Sequence, residues 1–340
     1  MGEVLLVHDQ DIARPVAIKR LLPELEDTGA LLRFVEEIRT IGRLEHPNIV
    51  PIHDVGVDEE GRYFFVMKYV EGETLASILD GLRAGDPEYH RKYTVERRVE
   101  IVIGVLQALA FAHAHGVLHR DIKPANVMVG RFGEVVVMDW GIAKAFASGA
   151  GDAPPSSGTV PPSSGERLAT RAGAFVGTPL YMAPEQALGK NAELDPRCDL
   201  YSVAVVLHEL VTLRHYLGER PSVEATMAAI VGEEVSIRGL VGDRHPHQYR
   251  VPAELVYTMA KGLQKNPARR FQSAGEMIEE LQEVLEGRAA VRCEVTLTKR
   301  LLREMGRFVD RHPSLAMVSM LGVLGSVVFT ATALLRAVMV

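Results

Sequence analysis

The stretch His119 to Val127, HRDIKPANV, sets a carboxylate at Asp121, an ammonium two positions on at Lys123 and an amide at Asn126. Downstream, after the apolar run VVVM, a second carboxylate stands at Asp139 in MDWG. An acid, a cation and an amide facing another acid suit phosphoryl transfer: a base for the hydroxyl, a counter-charge for the phosphate, and oxygen ligands for magnesium. Upstream, VAIK puts Lys19 on an apolar strand, and Glu37 in the helical stretch that follows can hold it by an ion pair. A lone lysine in a strand, or a lone HRD, is usually surface or chance; the ordered set is what carries the reading.

Two kinds of periodicity surround these residues. From residue 1 to about 70, strand-like runs (VAIKRL, IVPIHDVG, RYFFVMKYV) flank one segment of helical spacing, ALLRFVEEIRTIGRL, which makes a small, mostly β lobe. From about 73 to 287 helical patterns dominate: VERRVEIVIGVLQALAFAHAHG, CDLYSVAVVLHELVTL, PAELVYTMAKGL and SAGEMIEELQEVLEG. One β interruption, VMVGRFGEVVVMDWG, has Gly133 at a turn between two apolar strands. Between Phe146 and Ala174 a run of Gly, Ala, Pro and Ser cannot bury a core and reads as a long loop inside the domain. Its Ser156, Ser157, Thr159, Ser163 and Ser164 read first as solvated linker.

The chain has 340 residues, 47% hydrophobic and 24% charged, enough for a sizeable core. A net charge of −6 removes the basic excess of a dedicated nucleic-acid binder, and two distant cysteines, Cys198 and Cys293, offer neither a disulfide scaffold nor a zinc site. The mean hydropathy of +0.06 is high for so many charges. The apolar excess is concentrated at the C-terminus, where no residue from Pro313 to Leu335 is charged. That length predicts a transmembrane helix over 313–336, with a basic juxtamembrane linker, 288–312, before it. Lys299, Arg300, Arg303, Arg307 and Arg311 on the N-terminal side, against Arg336 after it, place the N-terminal side in the cytoplasm. Gly322, Ser326 and Thr330 recur at a spacing that would let two helices approach as a homodimer, although small residues are common in any span. The histidines His46, His113 and His115 lack further ligands at metal spacing and read as structural.

The ordered motifs resemble those of bacterial, membrane-anchored, eukaryotic-type (Hanks-type) serine/threonine protein kinases, over residues 1 to about 287. The resemblance implies an α+β, two-lobed protein-kinase-like fold with lobes at 1–70 and 73–287 and a long activation loop at 139–185. It implies ATP with Mg2+, or Mn2+ in its place, and protein substrates carrying Ser or Thr. Lys19 would bind the α and β phosphates and Glu37 would orient it; Asp121 would be the base, Lys123 would meet the γ-phosphate, and Asn126 and Asp139 would hold metal. Met67 resembles the gatekeeper, with Lys68, Tyr69 and Val70 as the hinge, and Ala17 and Met128 would sandwich the adenine. Thr178 resembles the threonine that contacts base and catalytic lysine, Glu185 would pair with Arg270, and Asp199 would anchor the catalytic loop. Ile41, Ile52, His119 and Trp140, the last in place of the usual phenylalanine, would stack between the lobes. Arg120 implies a phosphorylated partner in the activation loop, for which Thr170 is the best placed. The kinase domain would lie on the cytoplasmic face of the cell membrane as a single-pass protein.

The glycine-rich loop G-x-G-x-x-G-x-V is matched only at its end, by Gly2 and Val4, so the small lobe is expected to lack its first strand. A start assigned inside a longer reading frame is the simplest explanation. A pseudokinase or membrane scaffold is the competing reading, and it rests on that loop; the intact set Lys19, Glu37, Asp121, Asn126 and Asp139 favours the active enzyme.

Overall fold

In the computed structural model the described residues are 2–21, 28–140, 144–145, 179–235, 240, 245–248 and 251–288, with scattered positions between 298 and 317. Two compact units divide the chain, 1–282 and 283–340. The first opens with β1 (Gly2–Asp9) and β2 (Arg14–Leu21), followed by α1 (Thr28–Ile41), β3 (Ile52–Val57) and β4 (Tyr63–Lys68). These strands form one antiparallel sheet in the order β1-β2-β4-β3. β1 is an edge strand of this sheet, and its Val4 and Leu6 are more than half exposed. That exposure blurs the period-two alternation by which a half-buried strand is recognised.

Register decides which side chains share a face. Val4 stands opposite Lys19, Leu6 opposite Ala17, Lys19 opposite Phe65 and Ala17 opposite Met67. Because side chains alternate along a strand, Val4, Ala17, Lys19, Phe65 and Met67 lie on one face of the sheet. On that face Phe34 of α1 packs against Phe65 with ring centroids 5.4 Å apart, together with Ile38, Ile52 and Met67. The contact fixes α1 over the strand that carries Lys19.

The larger part is helical. A short β5 (Gly72–Thr74) leads into α2 (Leu75–Arg83), α3 (Pro87–Lys92) and the long α4 (Val95–Ala114). Thr74 and Thr94 cap α2 and α4 by accepting from the backbone N–H of Ser77 and Arg97. After β6 (Val117–Leu118) comes the hairpin β7 (Val127–Gly130) and β8 (Val135–Val137), turned at Gly133 with φ +90°. Helix α4 crosses this hairpin so closely that a Cβ on Gly104 would lie 2.9 Å from that of Val135. Strand β9 (Lys144–Ala145) pairs with β6. Then follow α5 (Pro184–Ala187), α6 (Pro196–Thr212), α7 (Val223–Gly232), α8 (Ala253–Gly262) and α9 (Ala274–Glu286). Every residue of α6 from Cys198 to Thr212 is buried, the polar Asp199, Ser202, His208 and Glu209 included, which makes that helix the axis of the core.

Among the described residues no helix is long and apolar enough to cross a membrane. The expected span 313–336 falls, apart from Leu315 and Met317, outside the described residues, as do Thr170 and Thr178.

Candidate active site

Lys19 reaches out of β2 to Glu37 of α1, with Nζ 2.6 Å from Oε1, and to Asp139, with Nζ 2.9 Å from Oδ1. Burial works to lower the pKa of the ammonium, but the two carboxylates outweigh it and the net direction is up. Burial likewise works to raise the Asp139 carboxyl, and the Lys19 charge and hydrogen bond reverse it to a net lowering. Both groups are therefore held charged at neutral pH. One ammonium thus joins the small lobe's helix to the segment after β8, a three-way contact that spacing alone did not reveal.

The loop between β6 and β7 is held from below. Asp199, near the start of α6 and fully buried, accepts from the backbone N–H of His119 (3.0 Å) and of Arg120 (2.8 Å), and its Oδ2 lies 2.8 Å from His113 Nε2. Burial would raise its pKa, and these donors outweigh that, so the carboxylate stays ionised. Arg120, held by this anchor, and Asp139, held by Lys19, have left-handed backbone angles, φ +68° and +62°, which non-glycine residues hold only where surroundings enforce them. His119 is buried; the backbone N–H of Asp121 donates to its Nδ1 (3.2 Å), and its Nε2 donates to the Met138 carbonyl (3.1 Å). Those two bonds define a neutral ring, and burial lowers its pKa in the same sense.

Asp121 is oriented by its own loop. Lys123 Nζ sits 2.6 Å from its Oδ2, and Asn126 Nδ2 donates to that oxygen at 3.0 Å and to the Asp121 carbonyl at 2.9 Å. The Asn126 carbonyl accepts from Met138 N–H at 2.9 Å, so the residue before Asp139 is tied directly to Asn126. With Asn126 Nδ2 committed to Asp121 and Asp139 Oδ1 to Lys19, no described donor takes Asn126 Oδ1 or Asp139 Oδ2. Two uncommitted oxygens on linked segments fit a hard divalent cation.

Trp140 is buried against His119, with ring centroids 4.6 Å apart, and its indole N–H has no partner among the described residues. Across the cleft, Ala17 is buried and Met128 and Met67 are half-buried. In the Lys68, Tyr69 and Val70 segment, Lys68 N–H donates to the Pro51 carbonyl at 3.1 Å, and Val70 is buried. In the large lobe Arg270 grips Glu185 with two nitrogens, at 2.6 and 2.8 Å. Sequence reasoning missed a second cluster: Tyr181 donates to Glu209 at 2.5 Å, and Arg83 of α2 holds the other oxygen of that buried carboxylate. No motif spacing joins residues from α2, the segment before α5 and α6, so nothing short-range could have found it. His46 and His113 serve loop and core: His46 Nδ1 accepts from Asn48 N–H at 3.1 Å, and His113 meets Asp199.

Residues 1–282 match the protein kinase domain family. The chain is 35% identical over 324 residues to a probable serine/threonine-protein kinase of Streptomyces coelicolor, covering 94% of this chain and 43% of that protein. It is 36% identical to serine/threonine-protein kinase PknB of Mycolicibacterium smegmatis, covering 85% and 42%. Among solved structures, the PknI kinase domain of Mycobacterium tuberculosis is similar, with TM-score 0.53, 25% identity, and coverage of 83% of this chain and 91% of that one. The chain therefore spans about two fifths of the length of these curated relatives. It belongs to the protein kinase domain family, and its relatives there are bacterial serine/threonine kinases.

Proposed function

We propose that the chain is an ATP-dependent serine/threonine protein kinase that passes the γ-phosphate of ATP to protein hydroxyls. The observation that carries this is Lys19 held at once by Glu37 (2.6 Å) and Asp139 (2.9 Å), with Asp121 oriented on the neighbouring loop. In this reading Lys19 meets the α and β phosphates and Glu37 keeps it aimed. Ala17, Val4 and Met128 enclose the adenine, Met67 closes the back of its pocket, and the Lys68 to Val70 backbone meets its edge. Asn126 and Asp139 hold Mg2+, which when bound neutralises phosphate charge and lowers the barrier for transfer. Asp121 Oδ2 is taken by Lys123 and Asn126, which leaves Oδ1 to accept the proton of the substrate hydroxyl. Lys123, beside that carboxylate, faces the charge that develops on the transferred group.

Two further parts of the reading concern regulation and place. Arg120 presents a buried Nε without a partner among the described residues, which supports a phosphate on Thr170 as its counter-charge. The uncharged run 313–336 and the basic residues before it support a single membrane span with the kinase domain in the cytoplasm.

Phosphate transfer from ATP to a generic protein substrate tests the enzyme reading. Asp121→Asn should lower the rate by about 10² or more at unchanged thermal stability. Equal signals from the two proteins would refute catalysis and favour a scaffold.

A further inference from the structure

A hollow of about 320 Å³ opens in the large lobe between α5, the start of α6 and the turn after α8, with Glu185, the partner of Arg270, on its wall. Its walls are apolar at Pro184, Leu188 and Pro267 and charged elsewhere. The charges pair off with one remainder. Glu185 belongs to Arg270, Asp195 to Arg197 at 2.5 Å, and Glu193 to Lys190 at 3.5 Å. Nearby Glu233 is held by Arg220 at 2.6 Å. Lys265, half-buried on the wall, is the cation left over, with no carboxylate within ion-pair distance among the described residues.

What Lys265 has instead is two phenols. Its Nζ lies 3.1 Å from Tyr201 Oη and 3.5 Å from Tyr216 Oη, and above both rings at 5.6 and 5.3 Å. An ammonium has three N–H donors, so one has no described acceptor. The backbone around it is rigid, because Arg270 donates to the carbonyls of both Gln264 (2.6 Å) and Lys265 (2.9 Å). Burial, and then the neighbouring Arg270, push the Lys265 pKa down to about 8, the direction expected of a cation short of counter-charge.

We propose that this hollow is a binding site for a small organic monoanion, a carboxylate on a short apolar body, whose oxygens take the free donor of Lys265. A single unmatched positive charge suits a single negative one. A phosphate dianion would bring a second charge to face Glu185, Glu193 and Asp195. The volume sits at the lower end of the range for small-molecule sites, and the prolines and Leu188 offer the apolar contact. The site is built from the large lobe alone and does not depend on the chain's phosphoryl transfer.

Fluorine NMR of 4-fluorobenzoate titrated against the full chain tests this, with Lys19→Met protein used throughout so that the ammonium assigned to the nucleotide phosphates is removed. Saturable binding with a dissociation constant of about 1–5 mM is expected. It should weaken at least tenfold in Lys265→Met, a substitution that removes a partly buried cation lacking a carboxylate partner among the described residues and is expected to leave the melting temperature unchanged or higher. The neutral 4-fluorobenzamide should not bind, and inorganic phosphate in excess should not displace the carboxylate. No binding up to about 50 mM, equal affinity in Lys265→Met, or equal affinity of the amide would each overturn the assignment.

Discussion

Arg270 offers the most sharply defined perturbation. Its side chain is completely buried, and five hydrogen bonds hold it: two to the Glu185 carboxylate and one each to the carbonyls of Gln264, Lys265 and Arg197. Glu185→Gln keeps the shape, turns one acceptor into a donor aimed at a guanidinium N–H, and leaves the buried cation without its counter-charge. Breaking one side of a buried pair costs about 3–5 kcal/mol. The three carbonyls continue to solvate the guanidinium, so the lower end, about 3 kcal/mol, is the expectation. In urea unfolding followed by far-UV circular dichroism, with a slope of about 2–3 kcal/mol/M, this moves the midpoint down by about 1–1.5 M. The double variant Glu185→Leu with Arg270→Met removes both charges but also takes the donor from three carbonyls, so it should stay destabilised, by less than the sum of the two single losses. A loss under about 1 kcal/mol for Glu185→Gln, or losses that simply add in the double variant, would refute the claim that the pair works as a unit.

Acid sensitivity follows from buried imidazoles. Burial pushes His208 and His215 down to about 4, and lowers His119 in the same direction, from an ordinary value of 6.5. Between these values the unfolded chain binds protons that the folded one does not, so the stabilisation is complete above about pH 6.5 and lost as pH falls toward 4. His215→Phe should flatten the slope of urea midpoint against pH by about one proton, and an unchanged slope would contradict the assignment. After incubation with ATP, mass spectrometry should find phosphate on Thr170, and Arg120→Lys should reduce the gain in activity that accompanies it; modification confined to Ser156, Ser157, Thr159, Ser163 and Ser164 would contradict this. The full chain should stay with membranes through a carbonate wash while a chain ended at residue 287 does not, and equal release of both would exclude the span.

Residues close in sequence were the easiest to read. The loop His119 to Asn126 and the pair Lys19 and Glu37 declare themselves because their chemistry is concentrated in short strings, and α4 and α6 because long apolar runs admit few alternatives. Three features were hidden for three different reasons. Strand β1 is an edge whose Val4 and Leu6 are solvent-exposed although they share the face of Lys19 and Ala17, so it has no clean alternation. Helix α3 is six residues long and buries none of them, leaving no periodic signal. The Tyr181, Glu209 and Arg83 cluster is purely tertiary, since only folding brings its three chain segments together. Lys19 in contact with both Glu37 and Asp139 is a mixed case: the residues were legible, and their meeting at a single nitrogen was not.

Trp140 is the chain's single tryptophan, and it is buried beside the carboxylate of Asp139 and stacked on His119. The protein therefore carries its own optical gauge at the centre of the cleft, free of any background from other indoles. Tyrosine-free excitation isolates one ring, and its emission wavelength and quenching by iodide report whether that ring is shielded or wet. Any rearrangement that withdraws Asp139 must drag the adjacent residue with it, so occupancy of the cleft is readable in native, unlabelled protein from a cuvette.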